Sequence, residues 1–181
     1  NNPKYFNNQP FNNMNFKKIF FTLSLALLAS VVSFAQEKAS PARTAEGTAA
    51  GAKITIKYSS PAVKGRTIWG DLVPLGQVWR AGADDATTFT TSKDITVEGQ
   101  KLPAGTYSFF IIPGESQSTM IFNKVAKQWG AYTYDSKQDA LRVNVTSQQT
   151  STMEERLVYE VKPDSFEIRW EYGKASAKIG S

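Results

Sequence analysis

The chain has 181 residues, 41% of them apolar, 12% aromatic and 20% charged, which suits one globular domain. It contains neither cysteine nor histidine, so disulfides, thiolate nucleophiles, Ser-His-Asp triads and Cys- or His-ligated metals are excluded. The formal charge of +5 drops to +2 beyond residue 35, because Lys4, Lys17 and Lys18 precede that point and no acidic residue does; this is too little for a polyanion-binding surface, and no nucleic-acid partner is expected.

Residues 1–13 are Asn-rich and have no periodicity. Met14 then opens a secretory leader: Lys17 and Lys18 form the basic start, Ile19 to Val32 the apolar stretch, and Ser33-Phe34-Ala35 the small-residue cleavage site. Thr22, Ser24 and Ser30 interrupt the apolar run, which is shorter than the roughly 20 residues a spanning helix needs. The expectation is cleavage between Ala35 and Gln36, with residues 1–13 a spurious extension and 14–35 the leader. No cysteine is present at the cleavage site to carry a lipid. A periplasmic or secreted protein without a stable membrane anchor follows.

Residues 36–52 are small and polar, and read as a flexible arm before a domain at 53–181. From there the pattern has a period of two. Ile54, Ile56 and Tyr58 alternate in a first strand, Ala86 to Ser92 form a Thr-rich second, and Ile95 and Val97 a third that closes on a turn at Glu98-Gly99-Gln100. Thr106 to Ile112 is apolar on both faces and should be covered on both sides. Thr119 to Asn123 is a short strand, followed by strands through Leu141, Val143 and Val145 and through Leu157, Tyr159 and Val161. Phe166, Ile168, Trp170 and Tyr172 share one face, and Ala175, Ala177 and Ile179 end the chain in the same period. These nine strands predict a single antiparallel β-sandwich, of which a jelly roll is one form.

Two aromatic connections break the strand pattern. Gly65 to Ala83 offers Arg66, Trp69, Asp71, Trp79 and Arg80, with Asp84 and Asp85 close behind. Lys124 to Asp139 offers Lys124, Lys127, Trp129, Tyr132, Tyr134 and Asp135. Long connections of this kind in compact domains are functional or disordered, and their aromatic content argues against disorder. Stacked rings, a guanidinium and a carboxylate make a site for a sugar or an anionic small molecule. The plainer alternative is that the rings plug the ends of the sandwich while Arg80 pairs with a nearby aspartate.

The groupings Asp84-Asp85 and Asp135/Asp139 are the only ones that suggest an acid–base pair or a Ca²⁺ site. They lack the spacing of a calcium loop and suit solvated turns instead. Gly114 to Ser118 lacks the final glycine of a nucleophile elbow. No catalytic residue, cofactor or metal is therefore assigned.

Six stretches carry a family resemblance: Ser60-Pro-Ala-Val-Lys-Gly-Arg66, Val78-Trp-Arg-Ala-Gly-Ala83, Lys101-Leu-Pro-Ala-Gly-Thr-Tyr-Ser108, Gln128-Trp-Gly-Ala-Tyr132, Asp139-Ala-Leu-Arg-Val143 and Trp170-Glu171. With them the chain resembles the domain-of-unknown-function family 2911, a group of uncharacterised exported bacterial proteins, over roughly Ser40 to Ile179. The chain departs from the family pattern at Asp84-Asp85, which speaks against a metal role for that pair. The resemblance implies an exported, mainly β domain and no particular activity.

The reading adopted is a binding module for a small molecule or glycan, with both loops lining one cleft. Arg80 is the anchor, Trp79 and Trp129 are stacking walls, and Lys124, Tyr134, Asp135 and Arg66 supply the polar surroundings. A carboxylate-dependent glycan hydrolase and a structural envelope protein without a ligand are the alternatives.

Overall fold

The computed structural model describes residues 38–181, so the expected leader and the stretch before it lie outside the described residues. Nine strands follow in order: β1 (Ala42–Ala49), β2 (Ala52–Ser59), β3 (Thr87–Thr91), β4 (Ile95–Val97), β5 (Gln100–Leu102), β6 (Gly105–Ile112), β7 (Gln117–Asn123), β8 (Asp139–Lys162) and β9 (Ser165–Gly180). All pair antiparallel, in the order β1-β2-β3-β6-β7-β8-β9-β4-β5, in one sheet that does not close into a barrel.

The sheet folds over one core in a sandwich-like all-β arrangement. Ile54 and Ile56 of β2, Tyr159 of β8 and Trp170 of β9 join Phe89, Phe109, Phe122 and Phe166 inside it. Those four phenylalanine rings lie 5.1 to 6.4 Å apart, mostly tilted or edge to face, as aromatic quadrupoles prefer. Strand β6 is covered on both sides, as its apolar pattern requires. Tyr107, Phe109 and Ile111 face the main core, while Phe110 joins Ile121 and Ala86 in a smaller cluster beneath the two connections.

Nine strands were expected and nine are present, but they are not the same nine. Ala42–Ala49, read as part of a flexible arm, is strand β1, paired along its whole length from Ala42↔Ser59 to Ala49↔Ala52. Its residues are small or charged and mostly exposed, so no apolar alternation marks it. Backbone pairing and a two-residue turn at Ala50-Gly51, both left-handed (φ 47° and 75°), make the hairpin. Gln100, read as the last residue of a turn, instead opens β5, and Lys101 and Leu102, not assigned to a strand, complete it.

The strands expected at 141–145 and 157–161 are one strand, β8, whose register slips between Gln149 and Val158. The last two expected strands are likewise one, β9. Glu171 in β9 is left-handed (φ 53°), and the face parity changes there. Phe166, Ile168 and Trp170 are inward before it, and Ala175, Ala177 and Ile179 after it. Tyr172, expected inward, is 48% exposed as a result. A bulge of this kind re-aims side chains, and bulges concentrate beside binding sites.

Candidate functional site

The connection from β2 to β3 is a series of turns fastened to the sheet. Val73 N–H donates to Ile68 C=O (2.9 Å) and Gly76 N–H to Pro113 C=O (2.8 Å). Trp79 exchanges two backbone hydrogen bonds with Ile111 of β6 (2.8 and 2.9 Å). This pinning places three indoles together. Trp79 stacks on Trp170 at 6.0 Å and 14°, and Trp69 meets both edge-on at 5.7 and 6.2 Å. The Trp69 indole N–H donates to the Trp170 carbonyl (3.3 Å).

Beside this cluster opens a cleft of about 670 Å³. Trp69, Trp79 and Tyr172 are its rings, and Ile111 and Ile168 reach its apolar floor. Its polar wall comes from Ser147, Gln148, Gln149 and Thr150 of β8, with Glu171 and Lys174 of β9. The bulge at Glu171 brings that residue and Tyr172 to the same concavity. Gly114, Glu115 and Ser118 complete one side. There the Ser118 and Ser147 hydroxyls bond each other (2.8 Å), and Ser147 donates to Gly114 C=O (2.7 Å).

Lys174 is held from behind by Glu167, 3.2 Å from its ammonium. Glu167 also pairs with Lys162 (2.7 Å) and with Arg169, which in turn reaches Glu160 (2.8 Å). Burial alone would raise the Glu167 pKa, but the hydrogen bonds from Lys162 and Lys174 outweigh it and hold the carboxyl at about 2.

A second recess, of about 350 Å³, also has Trp79 in its wall. Lys64, Arg66, Arg80 and Trp170 line it, and no carboxylate does. Arg80 precedes a strained turn in which Ala81 is left-handed (φ 53°). The Ala81 carbonyl accepts from the hydroxyls of Thr87 (2.9 Å) and Tyr159 (2.7 Å). Burial pushes the Tyr159 hydroxyl well above its ordinary pKa, so it stays a donor. Gly82 has no room for a side chain: a Cβ there would lie 2.9 Å from Thr87 Oγ1 and 3.1 Å from Ser59 O.

The expected site residues thus fall into two groups. Trp79, Arg80 and Arg66 share the smaller recess, and Trp79 lines the cleft as well. Trp129, Lys124, Tyr134 and Asp135 line neither concavity. Trp129 is 61% exposed, bridged by its backbone to Asp85. Lys124 is exposed.

Tyr134 packs edge-on against Phe110 (5.0 Å) and donates to Asp139 (2.7 Å), whose carboxylate also binds Arg142 (2.6 Å). Burial and that bond to Asp139 raise the Tyr134 pKa. Asp135 caps the 3-10 turn Ser136–Gln138 by accepting from Lys137 N–H (2.9 Å). Asp84 pairs with Lys38 (2.9 Å). Each of these three aspartates, Asp84, Asp135 and Asp139, thus has a local partner.

What sequence reasoning did not find is the opposite wall of the cleft. Ser147 to Thr150 is a polar run between two apolar strand patterns, and that interruption was its one local signal.

Fold and site together define an antiparallel all-β domain with an aromatic cleft on a folded sheet. The chain belongs to the family described as protein of unknown function (DUF2911), whose model matches residues 40–179. No curated protein and no solved structure matches it.

Proposed function

We propose that this is an exported binding module whose ligand is a glycan or a similar hydroxyl-rich small molecule held in the larger cleft. The observation that carries the reading is composition at one place. Trp69, Trp79 and Tyr172 present ring surface beside the amides of Gln148 and Gln149 and the hydroxyls of Ser147 and Thr150. Sugars offer apolar C–H faces and a rim of hydroxyls, which such walls complement. The cleft volume of about 670 Å³ is in the range of ligand sites, roughly 300–1,000 Å³. Lys174, fixed by Glu167, adds a positioned donor.

The test is a thermal-shift and calorimetric screen of oligosaccharides, repeated on Tyr172→Ala. Tyr172 is half exposed, so its truncation should leave the melting temperature nearly unchanged while weakening binding. A screen with no binder favours a structural envelope protein instead, and a binder indifferent to Tyr172→Ala would overturn the assignment of its site to this cleft.

One observation favours hydrolysis as a second reading: two carboxylates, Glu115 and Glu171, line the cleft. Release of new reducing ends from a bound glycan, abolished by Glu171→Gln with binding retained, would convert the binding module into an enzyme.

A further inference from the structure

We propose a second ligand site: the recess beyond Trp79 takes an oxyanion group, a carboxylate or a phosphate, through Arg80 and Trp170. Three observations converge on it. The first is charge. Lys64, Arg66 and Arg80 line the recess with no acidic residue among its walls, and none of the three takes part in an ion pair among the described residues. Uncompensated positive charge at the wall of a concavity attracts and retains anions.

The second is hydrogen-bond accounting. Buried polar groups nearly always have partners, and each exception needs a reason. Among the described residues three buried side-chain atoms have none: the donors Arg80 Nε and Trp170 Nε1, and the acceptor Asp84 Oδ2, which has the Lys38 ammonium 2.9 Å away as its counter-charge. Both donor residues belong to this recess. Trp170 is 1% exposed, so its indole N–H cannot turn to bulk water. An acceptor-only group satisfies such donors, and a guanidinium fork matches an oxyanion in geometry as well as charge.

The third is rigidity. Strained backbone persists where the surroundings over-determine it, and that is common at ligand clamps. Arg80 sits immediately before left-handed Ala81, whose carbonyl two buried hydroxyls hold. Arg66 is fixed too, its Nε donating to Val63 C=O (3.0 Å) and its Nη2 to Ala62 C=O (2.6 Å). The site is independent of the glycan reading, since it needs no occupant in the larger cleft.

The experiment is an NMR titration of the full chain with acetate, inorganic phosphate and D-glucuronate, each exchanged against chloride at constant ionic strength. The readouts are the indole resonance of Trp170, assigned by its loss in Trp170→Phe, and the Arg80 Nε–H resonance. Both should shift saturably with at least one of the three. Phosphate as the stronger binder marks a tetrahedral ligand, and acetate or glucuronate a carboxylate. Arg80→Gln should weaken that binding about tenfold or more, the effect of losing a charge-assisted hydrogen bond. Arg80→Lys, which keeps the charge, should weaken it less. The proposal is overturned if none of the anions moves these resonances more than chloride does, or if Arg80→Gln binds as the native chain does. The native titration decides even if a variant does not fold.

Discussion

The Trp69 indole lies directly over Gly173: a Cβ at residue 173 would sit 2.6 Å from its Nε1 and 2.7 Å from its Cε2. Only a residue without a side chain lets the ring close onto β9 and donate to the Trp170 carbonyl. Gly173→Ala therefore forces a rigid indole to move rather than a flexible chain end. The expected outcome is a loss of about 1–3 kcal/mol, typical of overpacking. A red-shifted tryptophan emission and loss of any cleft ligand should accompany it. Unchanged emission and melting would show that Trp69 is not held there.

Trp170 is the hub of the indole cluster and almost fully buried. Trp170→Ala should cost roughly 3–5 kcal/mol, as for other buried aromatics cut to alanine. Denaturant unfolding monitored by far-UV dichroism measures it, and a midpoint equal to that of the native chain would contradict the packing.

The Ala81 carbonyl has two donors, so removing them one at a time should be mild and removing both severe. Tyr159→Phe alone should cost about 1 kcal/mol, the net value of one hydrogen bond. Combined with Thr87→Val, the loss should exceed the sum of the singles, because a buried carbonyl then has no donor. A double-mutant cycle that adds up would show the two hydroxyls acting independently.

Glu167 gives a pH dependence with a definite sign. Its carboxyl is held at about 2 in the folded chain, below the ordinary 4.5. Its contribution to stability is complete above the ordinary value. It declines as acid takes the pH through that window and is gone below the folded value. Glu167→Gln should therefore be less stable than the native chain at neutral pH and approach it as the pH falls toward 2. Urea midpoints across that range check it; a difference that does not change with pH would mean the lysine contacts do not hold the carboxylate.

The leader expected from the sequence at residues 14–35 gives a further test. Protein recovered from the periplasm or medium should begin at Gln36, and intact-mass measurement decides it. A mass that retains residues 14–35 would refute export by this route.

The period-two apolar pattern made β2 and β4 legible, because inner and outer residues alternate there, whereas β3 was marked by its β-branched threonines, β6 by apolar residues on both faces and β7 by a short apolar run after a polar loop. It could not reveal β1, whose residues ARTAEGTA bury little and are held by backbone pairing and by the close fit of Gly47 on Val161, where a Cβ would lie 2.8 Å from Cγ1. Nor could it foresee Tyr172 outside the core, since the inversion comes from one backbone angle at Glu171. The aromatic connection around Trp79 and Arg80 stood out by its tryptophans and glycines. Its expected partner did not meet it in a cleft: Trp129 makes a backbone bridge at Asp85 and stays exposed, while strand residues from Ser147 to Thr150 face Trp69 across the concavity. That juxtaposition depends on how far β8 runs before it bends, which no local pattern encodes.

Strand β8 is hydrogen-bonded to β7 from Asp139 to Thr146 and to β9 from Ser147 to Lys162. One continuous strand thus joins the β1–β7 part of the sheet to the part built on β9, and neither part can melt without withdrawing a strand from the other. Amide hydrogens at its two ends, near Val143 and near Tyr159, should exchange with deuterium through the same global opening and at matching free energies. The stretch between them, where the register slips past Gln149, holds fewer ladder bonds. A protease would find its first purchase there, and a single nick would loosen both parts of the sheet at once.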